Sequence, residues 1–266
     1  AVRPDPEREY SPSMLDKFFQ CPRAYLIRYE LGIPEPEEEN TFEVINSKDF
    51  GTLAHEMMEL LGGSGLGLED YRKACSEAFD RYLAEHPPLV AKNAAADREE
   101  FLDMMENAYL MDPGREVVLE EESIHALHES GVKLYGFPDR VEKLEDGTYQ
   151  IVDFKTGRTV VHQKDDINTC LQTVIYAYLM EQKGFRISGS EYRYLRSGQT
   201  VTCRYDEEMI QQLHEKLILF KNCLEAGEFP FPEEVLRGDA KPKSCTYCKF
   251  GAVCGKAQIT GGGDDE

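Results

Sequence analysis

No stretch of this sequence stays apolar for the ~18 residues that a membrane-crossing helix needs. No positively charged start followed by an apolar segment marks a secretory leader. The phosphate-cradling pattern G-x4-G-K-[ST] does not occur, so the sequence carries no motor of that type. Positive charge is scarce: 30 Lys and Arg stand against 50 Asp and Glu, a net charge of −20. That balance argues against a protein that coats nucleic acid through a basic surface. Internal repeats are missing as well.

What is there describes a globular protein. The 266 residues are 41% hydrophobic and 30% charged, enough to bury a sizeable core without staples. The charge is uneven. Residues 1–182 hold 18 basic and 37 acidic side chains, whereas residues 183–257 hold 12 and 10. A polyanion would be met by the C-terminal third and a few local Arg and Lys, with most carboxylates on a solvated face. Ala1 in place of Met reads as the start of a piece cut from a longer chain, and residues 261–266 read as a disordered tail. A cytoplasmic location, with no membrane, is expected.

The apolar period changes along the chain. A first helix is expected around Leu15, Phe18 and Phe19, capped by Ser13 and interrupted at Pro22 after Cys21. Further helices are expected over 50–61, 69–86 and 97–111, each closed by Gly or Pro. Residues 115–128, 132–144 and 148–154 read as three strands. A helix over 166–183, strands over 190–196 and 200–205, and a long helix over 206–226 follow. The fold class is α/β (α+β), a mixed central sheet flanked by helices. It is read as one domain over 1–260, with a helical part (11–112), a sheet–helix core (115–226) and a Cys-rich end (229–258).

Asp153 and Lys155 lie two apart on the third strand and therefore point to one face. Asp139 stands on the strand before. A two-residue loop of Asp146 and Gly147 sets Asp139 opposite Phe154. A three-residue loop from Glu145, with Gly147 left-handed, sets it opposite Asp153. Two facing carboxylates repel unless a cation sits between them, and Asp oxygens suit Mg²⁺ or Mn²⁺. Two acids, a hard metal and a lysine suit phosphodiester hydrolysis. Gln172 and Tyr176 fall at i and i+4 on the following helix and share a face.

These residues resemble a known family. Pro138-Asp139 followed by Asp153-Phe154-Lys155 looks like the PD-(D/E)xK nuclease signature, and the RecB-type exonuclease branch resembles nearly the whole chain. Ser11 to Arg23 looks like its opening helix, Gly51-Thr52-Leu53-Ala54-His55 like its histidine motif, and Gln172 to Tyr176 like its QxxxY motif. The resemblance implies a restriction-endonuclease-like core. It also implies His55, Asp139, Asp153 and the Phe154 carbonyl as metal ligands and Lys155 as the catalytic lysine. Gln172 and Tyr176 would face the site and the DNA strand. Glu56 and Glu59 are expected nearby, and one of Glu120, Glu121 and Glu122 is expected to face the site.

Eight cysteines in such a chain do not read as a disulfide framework. Cys245-x2-Cys248-x5-Cys254 reads as a metal or cluster site that wants a fourth thiolate. Cys75, Cys170, Cys203 and Cys223 sit where packing thiols are ordinary; Cys21 sits at a helix break before a Pro. In the AddB-type and CRISPR-associated RecB-like nucleases, a lone N-terminal Cys before Pro joins three C-terminal ones around a 4Fe–4S cluster. Cys21, Cys245, Cys248 and Cys254 resemble that set; structural Zn²⁺ is the alternative. The implied function is a metal-dependent DNA exonuclease domain of an AddB-like helicase–nuclease handling double-strand ends, the motor coming from a partner or from a missing part of the chain. A stand-alone CRISPR-associated nuclease, or a catalytically silent cluster-stapled DNA-binding or assembly module, are the alternatives.

Overall fold

The computed structural model describes residues 5, 7–36, 44–88, 93–120, 122–238, 242–246 and 248–255. Their contacts group into two compact units. The first is drawn from Ala1–Glu38, Ile124–Gly136 and Glu208–Glu266, the second from Glu39–Ser123 and Phe137–Glu207.

The second unit is built on a five-stranded sheet. Its strands are β2 (Val117–Glu120), β5 (Arg140–Lys143), β6 (Tyr149–Lys155), β7 (Ile187–Tyr194) and β8 (Gln199–Cys203), hydrogen-bonded in that order. The β6–β7 pair is parallel and the others are antiparallel. A parallel pair needs a crossover, and helix α6 (Ile167–Gln182) supplies it. Asp166 caps α6 by accepting the Asn168 amide hydrogen, and Gly184 at φ 90° lies just past its end.

Three helices pack on one another and on β6: α3 (Ser47–Leu61), α4 (Leu68–Glu85) and α5 (Ala94–Met111). Phe50, Ala54, Met57, Phe79, Phe101 and Met105 meet Val152 and Phe154 in one core. Val152 and Phe154 alternate with Asp153 along β6, so Asp153 leaves this core on the other face.

In the first unit, β1 (Glu9–Tyr10), β4 (Lys133–Gly136) and β3 (Ile124–Leu127) form a small sheet in the order β1-β4-β3. Helices α1 (Pro12–Gln20), α2 (Pro22–Tyr25) and α7 (Glu207–Ala226), with β1, bring Tyr10, Phe18 and Tyr25 edge-on to Phe220. A short α8 (Glu233–Leu236) follows.

Several expectations need correction. Ser11, not Ser13, caps the first helix, accepting the Met14 amide hydrogen; Pro12 takes the first helical position, where its missing N–H costs nothing. The first two expected strands are each broken, and their halves belong to different sheets. The second breaks at Phe137-Pro138-Asp139, where Pro cannot donate to a ladder. Asp139 therefore stands just before β5 rather than on a strand. Cys170 and Cys203, expected as separate packing thiols, are joined in a disulfide. The β7–β8 register sets Ser190 beside Cys203, and Ser190 Oγ donates to Thr173 Oγ1 on α6 at 2.8 Å, which brings the two sulfurs together. The tail beyond 255 lies outside the described residues.

Candidate active site

The hairpin between β5 and β6 decides where the acids sit. Arg140 pairs with Val152 and Lys143 with Tyr149. Leu144 and Thr148 close the turn, with the Leu144 amide donating to the Thr148 carbonyl at 2.8 Å. Gly147 has φ 79°. This is the three-residue loop, and its paired register ends at Arg140 opposite Val152, one residue short of Asp139.

Asp139 Oδ2 accepts the Phe154 amide hydrogen at 2.7 Å, and Asp139 Oδ1 faces His55 Nδ1 at 3.7 Å. A strand residue directs its N–H and C=O to the same edge. The Phe154 carbonyl is thus directed to the edge where Asp139 stands. His55 arrives from the middle of α3. The start of its motif is a packing device: a Cβ on Gly51 would lie 3.2 Å from Thr156 Oγ1, so glycine lets α3 close onto the end of β6.

On the other face of β6, Lys155 Nζ lies 2.5 Å from Asp153 Oδ2. The contact is an ion pair without hydrogen-bond alignment, and Oδ2 is a buried oxygen with no aligned donor. Lys155 Nζ donates to Gln172 Oε1 at 3.0 Å, and Gln172 Nε2 donates to Tyr176 Oη at 3.1 Å. Tyr176 is buried yet its hydroxyl serves this chain of contacts. Burial works against the Lys155 charge, but Asp153 and then Asp139 outweigh it and hold its pKa above the ordinary lysine value. Both carboxylates therefore act on one ammonium.

The acidic neighbours divide. Glu56 and Glu59 line a shallow depression with Lys48, Gly51, Thr52 and His55. Glu120 is taken by Arg140, whose Nε and Nη2 lie 3.1 and 2.8 Å from its Oε1. Glu122 is exposed, and Glu121 lies outside the described residues.

Sequence reasoning missed His162, Tyr192, Tyr194 and Arg196. His162 stacks on Tyr192 with centroids 3.4 Å apart, and its Nδ1 lies 2.5 Å from Tyr194 Oη. Lys155 Nζ sits 5.3 Å from the centroid of the Tyr192 ring. Arg196 Nε donates to the Thr156 carbonyl at 2.5 Å. No local signal marks these side chains, because the β6–β7 register, Lys155 beside Tyr194, is what gathers them.

The four thiols named for a cluster are all free and belong to the first unit. Cys21 ends α1 in extended backbone and caps α2, its Sγ accepting the Ala24 amide hydrogen at 3.4 Å. Cys21, Cys248 and Cys254 pack against Ala24, Ile27 and Phe250. Burial raises the Cys21 pKa; backbone hydrogen bonds oppose this, and the neighbouring Cys248 and Cys245 add to it.

The family model of the PD-(D/E)XK nuclease superfamily matches residues 9–255. The chain belongs to that superfamily. Among curated proteins it is similar to an ATP-dependent helicase/deoxyribonuclease subunit of Clostridium tetani (strain Massachusetts / E88). The two are 26% identical over 201 residues, covering 64% of this chain and 17% of that one. The helicase/deoxyribonuclease subunit of the same name from Streptococcus agalactiae serotype Ia is 24% identical over 170 residues, covering 61% and 15%. The chain thus spans less than a fifth of the length of these relatives. A solved structure from Eubacterium rectale covers 84% of this chain and 83% of its own, with a TM-score of 0.49 and 10% identity. Among the described residues, no helix of this superfamily member is long and apolar enough to cross a membrane.

Proposed function

We propose that this chain is the nuclease domain of a helicase–nuclease, a metal-dependent DNA exonuclease acting on single strands or ends in double-strand-break processing. The observation that carries the reading is Lys155 held between Asp153 and Gln172, with Asp139 fixed to the Phe154 amide one residue away. The buried, unaligned Asp153 Oδ2 and the oxygen-rich donor set suit a hard cation. Asp139, Asp153, the Phe154 carbonyl and His55 would hold Mg²⁺ or Mn²⁺. When bound, the cation supplies an acidified water and charge neutralisation at the phosphate. Lys155 positions its ammonium at the scissile phosphate and stabilises the charge that develops there. Gln172 orients that ammonium, and Tyr176 orients Gln172.

Cys21, Cys245, Cys248 and Cys254 would hold a 4Fe–4S cluster, which a set of four free thiols partly buried in one unit suits. Structural Zn²⁺ is the competing occupant of the same thiols. The sequence has no G-x4-G-K-[ST] motif, so the motor belongs to a partner protein or another part of a longer chain. The names of the relatives support that setting.

The test is cleavage of end-labelled single-stranded DNA with and without Mg²⁺ or Mn²⁺. Asp153 is buried, so Asn is the conservative probe. Asp153→Asn and Lys155→Ala are expected to lose roughly 10²-fold or more in rate, the scale of removing one transition-state contact. Metal-independent cleavage, or wild-type rates in Asp153→Asn, would remove the proposed site, and no cleavage by the wild type with either metal would leave a silent DNA-binding module.

A further inference from the structure

Away from the carboxylate–lysine site, three metal-type donors meet where the β3–β4 turn lies near α7, within the first unit. His128 opens that turn. Its amide donates to the Val132 carbonyl at 2.9 Å, and the Gly131 amide returns to the His128 carbonyl at 2.8 Å. Glu129 is the next residue, and His214 comes from α7. The two imidazole rings are 5.3 Å apart, and Glu129 Oε1 lies 2.7 Å from His214 Nδ1. One donor atom from each of the three residues lies within 4.8 Å of the others.

An ion pair accounts for His214 and Glu129. It does not account for a second, buried imidazole at their side, with His128 only 3% exposed. Two imidazole nitrogens and a carboxylate oxygen match the donor preference of Zn²⁺ and its first-row neighbours and leave a fourth position open. Glu129 is 74% exposed, which gives a cation a way in.

The outer contacts fit as well. His128 Nδ1 lies 2.9 Å from Ser130 Oγ, the kind of partner that orients a ligating imidazole. The Ser130 amide also points at Nδ1, at 3.1 Å, so the metal-free ring carries its proton on Nε2. Binding through Nε2 moves that proton to Nδ1, which then donates to Ser130 Oγ while the Ser130 amide gives up its bond to Nδ1 and the turn shifts to accommodate it. Metal bonds of about 2.0–2.2 Å hold tetrahedral donors roughly 3.3 Å apart, so the Glu129–His214 pair would open to admit the ion, and Glu129, a long exposed side chain, can provide that movement.

We propose that His128, Glu129 and His214 form a site for Zn²⁺ or a similar borderline dication, tying the β3–β4 turn to α7. The probe is Co²⁺, titrated into the full chain without oxygen and with excess Mg²⁺ to occupy oxygen-rich sites. One equivalent should give a ligand-field band without thiolate charge transfer. His214→Ala should lose that equivalent, and Cys248→Ser should keep it. Glu129→Gln, at an exposed position, should fold normally and bind at least about tenfold more weakly, since even outer partners of metal sites cost that much. Identical Co²⁺ stoichiometry and spectrum in wild type and His214→Ala would overturn the site. Unchanged affinity in Glu129→Gln would overturn it independently, even if His214→Ala failed to fold.

Discussion

The Phe154 amide donates its hydrogen to Asp139 Oδ2 at 2.7 Å. A carboxylate outside the strands is thereby fixed to the backbone beside Asp153. Charge-assisted bonds of this kind are stronger than neutral ones. The bend at Pro138 is what frees Asp139 to reach this amide.

Lys155 depends on a relay through α6. Gln172→Leu should lower the catalytic rate by about tenfold or more, because Lys155 loses its orienting acceptor. Tyr176→Phe should cost less, since it removes only the support of Gln172 Nε2. Single-turnover cleavage rates at saturating DNA check the order. An equal or larger loss in Tyr176→Phe would contradict the relay.

The thiols make a separate prediction. Purified without oxygen, the protein should be brown and hold about four iron atoms per chain. Cys21→Ser should lose colour as Cys248→Ser does, and should be more easily proteolysed. Cys75→Ser should not lose it; burial pushes that thiol up to about 12, away from any ligand role. Colourless protein with one zinc per chain would replace the cluster but keep the four ligands. Full metal content in Cys21→Ser would remove both.

His162 ties stability to pH. Burial first, and the Lys155 charge second, push its pKa down to about 4 from an ordinary 6.5. The unfolded chain therefore binds this proton more readily between those values. The stabilisation is complete above about pH 6.5 and is lost as pH falls toward 4. His162→Phe keeps a ring against Tyr192 but cannot titrate. The drop in urea midpoint from pH 7.5 to pH 5 should be larger in wild type than in His162→Phe. Equal drops would show that His162 is not responsible.

Gly147 sets the register of the β5–β6 hairpin, at whose mouth Asp139 meets the Phe154 amide. Its φ of 79° strains any residue with a Cβ, although a Cβ there would meet nothing within 4 Å. Gly147→Val should cost about 1–2 kcal/mol, whereas Gly147→Asn, which tolerates this region, should cost less. Denaturant midpoints measure both. A stability loss in Gly147→Asn equal to that in Gly147→Val would assign the cost to contacts rather than backbone.

Most helices were legible because their stops are chemical: Gly62 after α3, Pro87 after α4, Pro113 after α5. The shared facing of Asp153 with Lys155 and of Gln172 with Tyr176 was legible because spacing on a strand or helix fixes facing, whereas Asp139 was expected on a strand and lies just before one. The sheet boundaries were not legible. Val and Tyr continue through Phe137-Pro138, so the pattern of apolar residues hides a change of sheet. The Cys170–Cys203 bond, the stack of His162 on Tyr192 and the meeting of His128 with His214 all depend on pairings between distant segments. No local period records those.

The first unit is written into the chain in three pieces, and this orders its assembly during synthesis. Phe18 and Tyr25 pack against Phe220, which emerges about 200 residues later. At roughly 5–20 residues per second, that is a wait on the order of 10–40 s. Through that interval the two aromatic rings lack the partner that buries them, while the second unit's own segments are all made before Phe220 is reached. The segment carrying Phe18 and Tyr25 is thus one that needs shelter while the chain is being made.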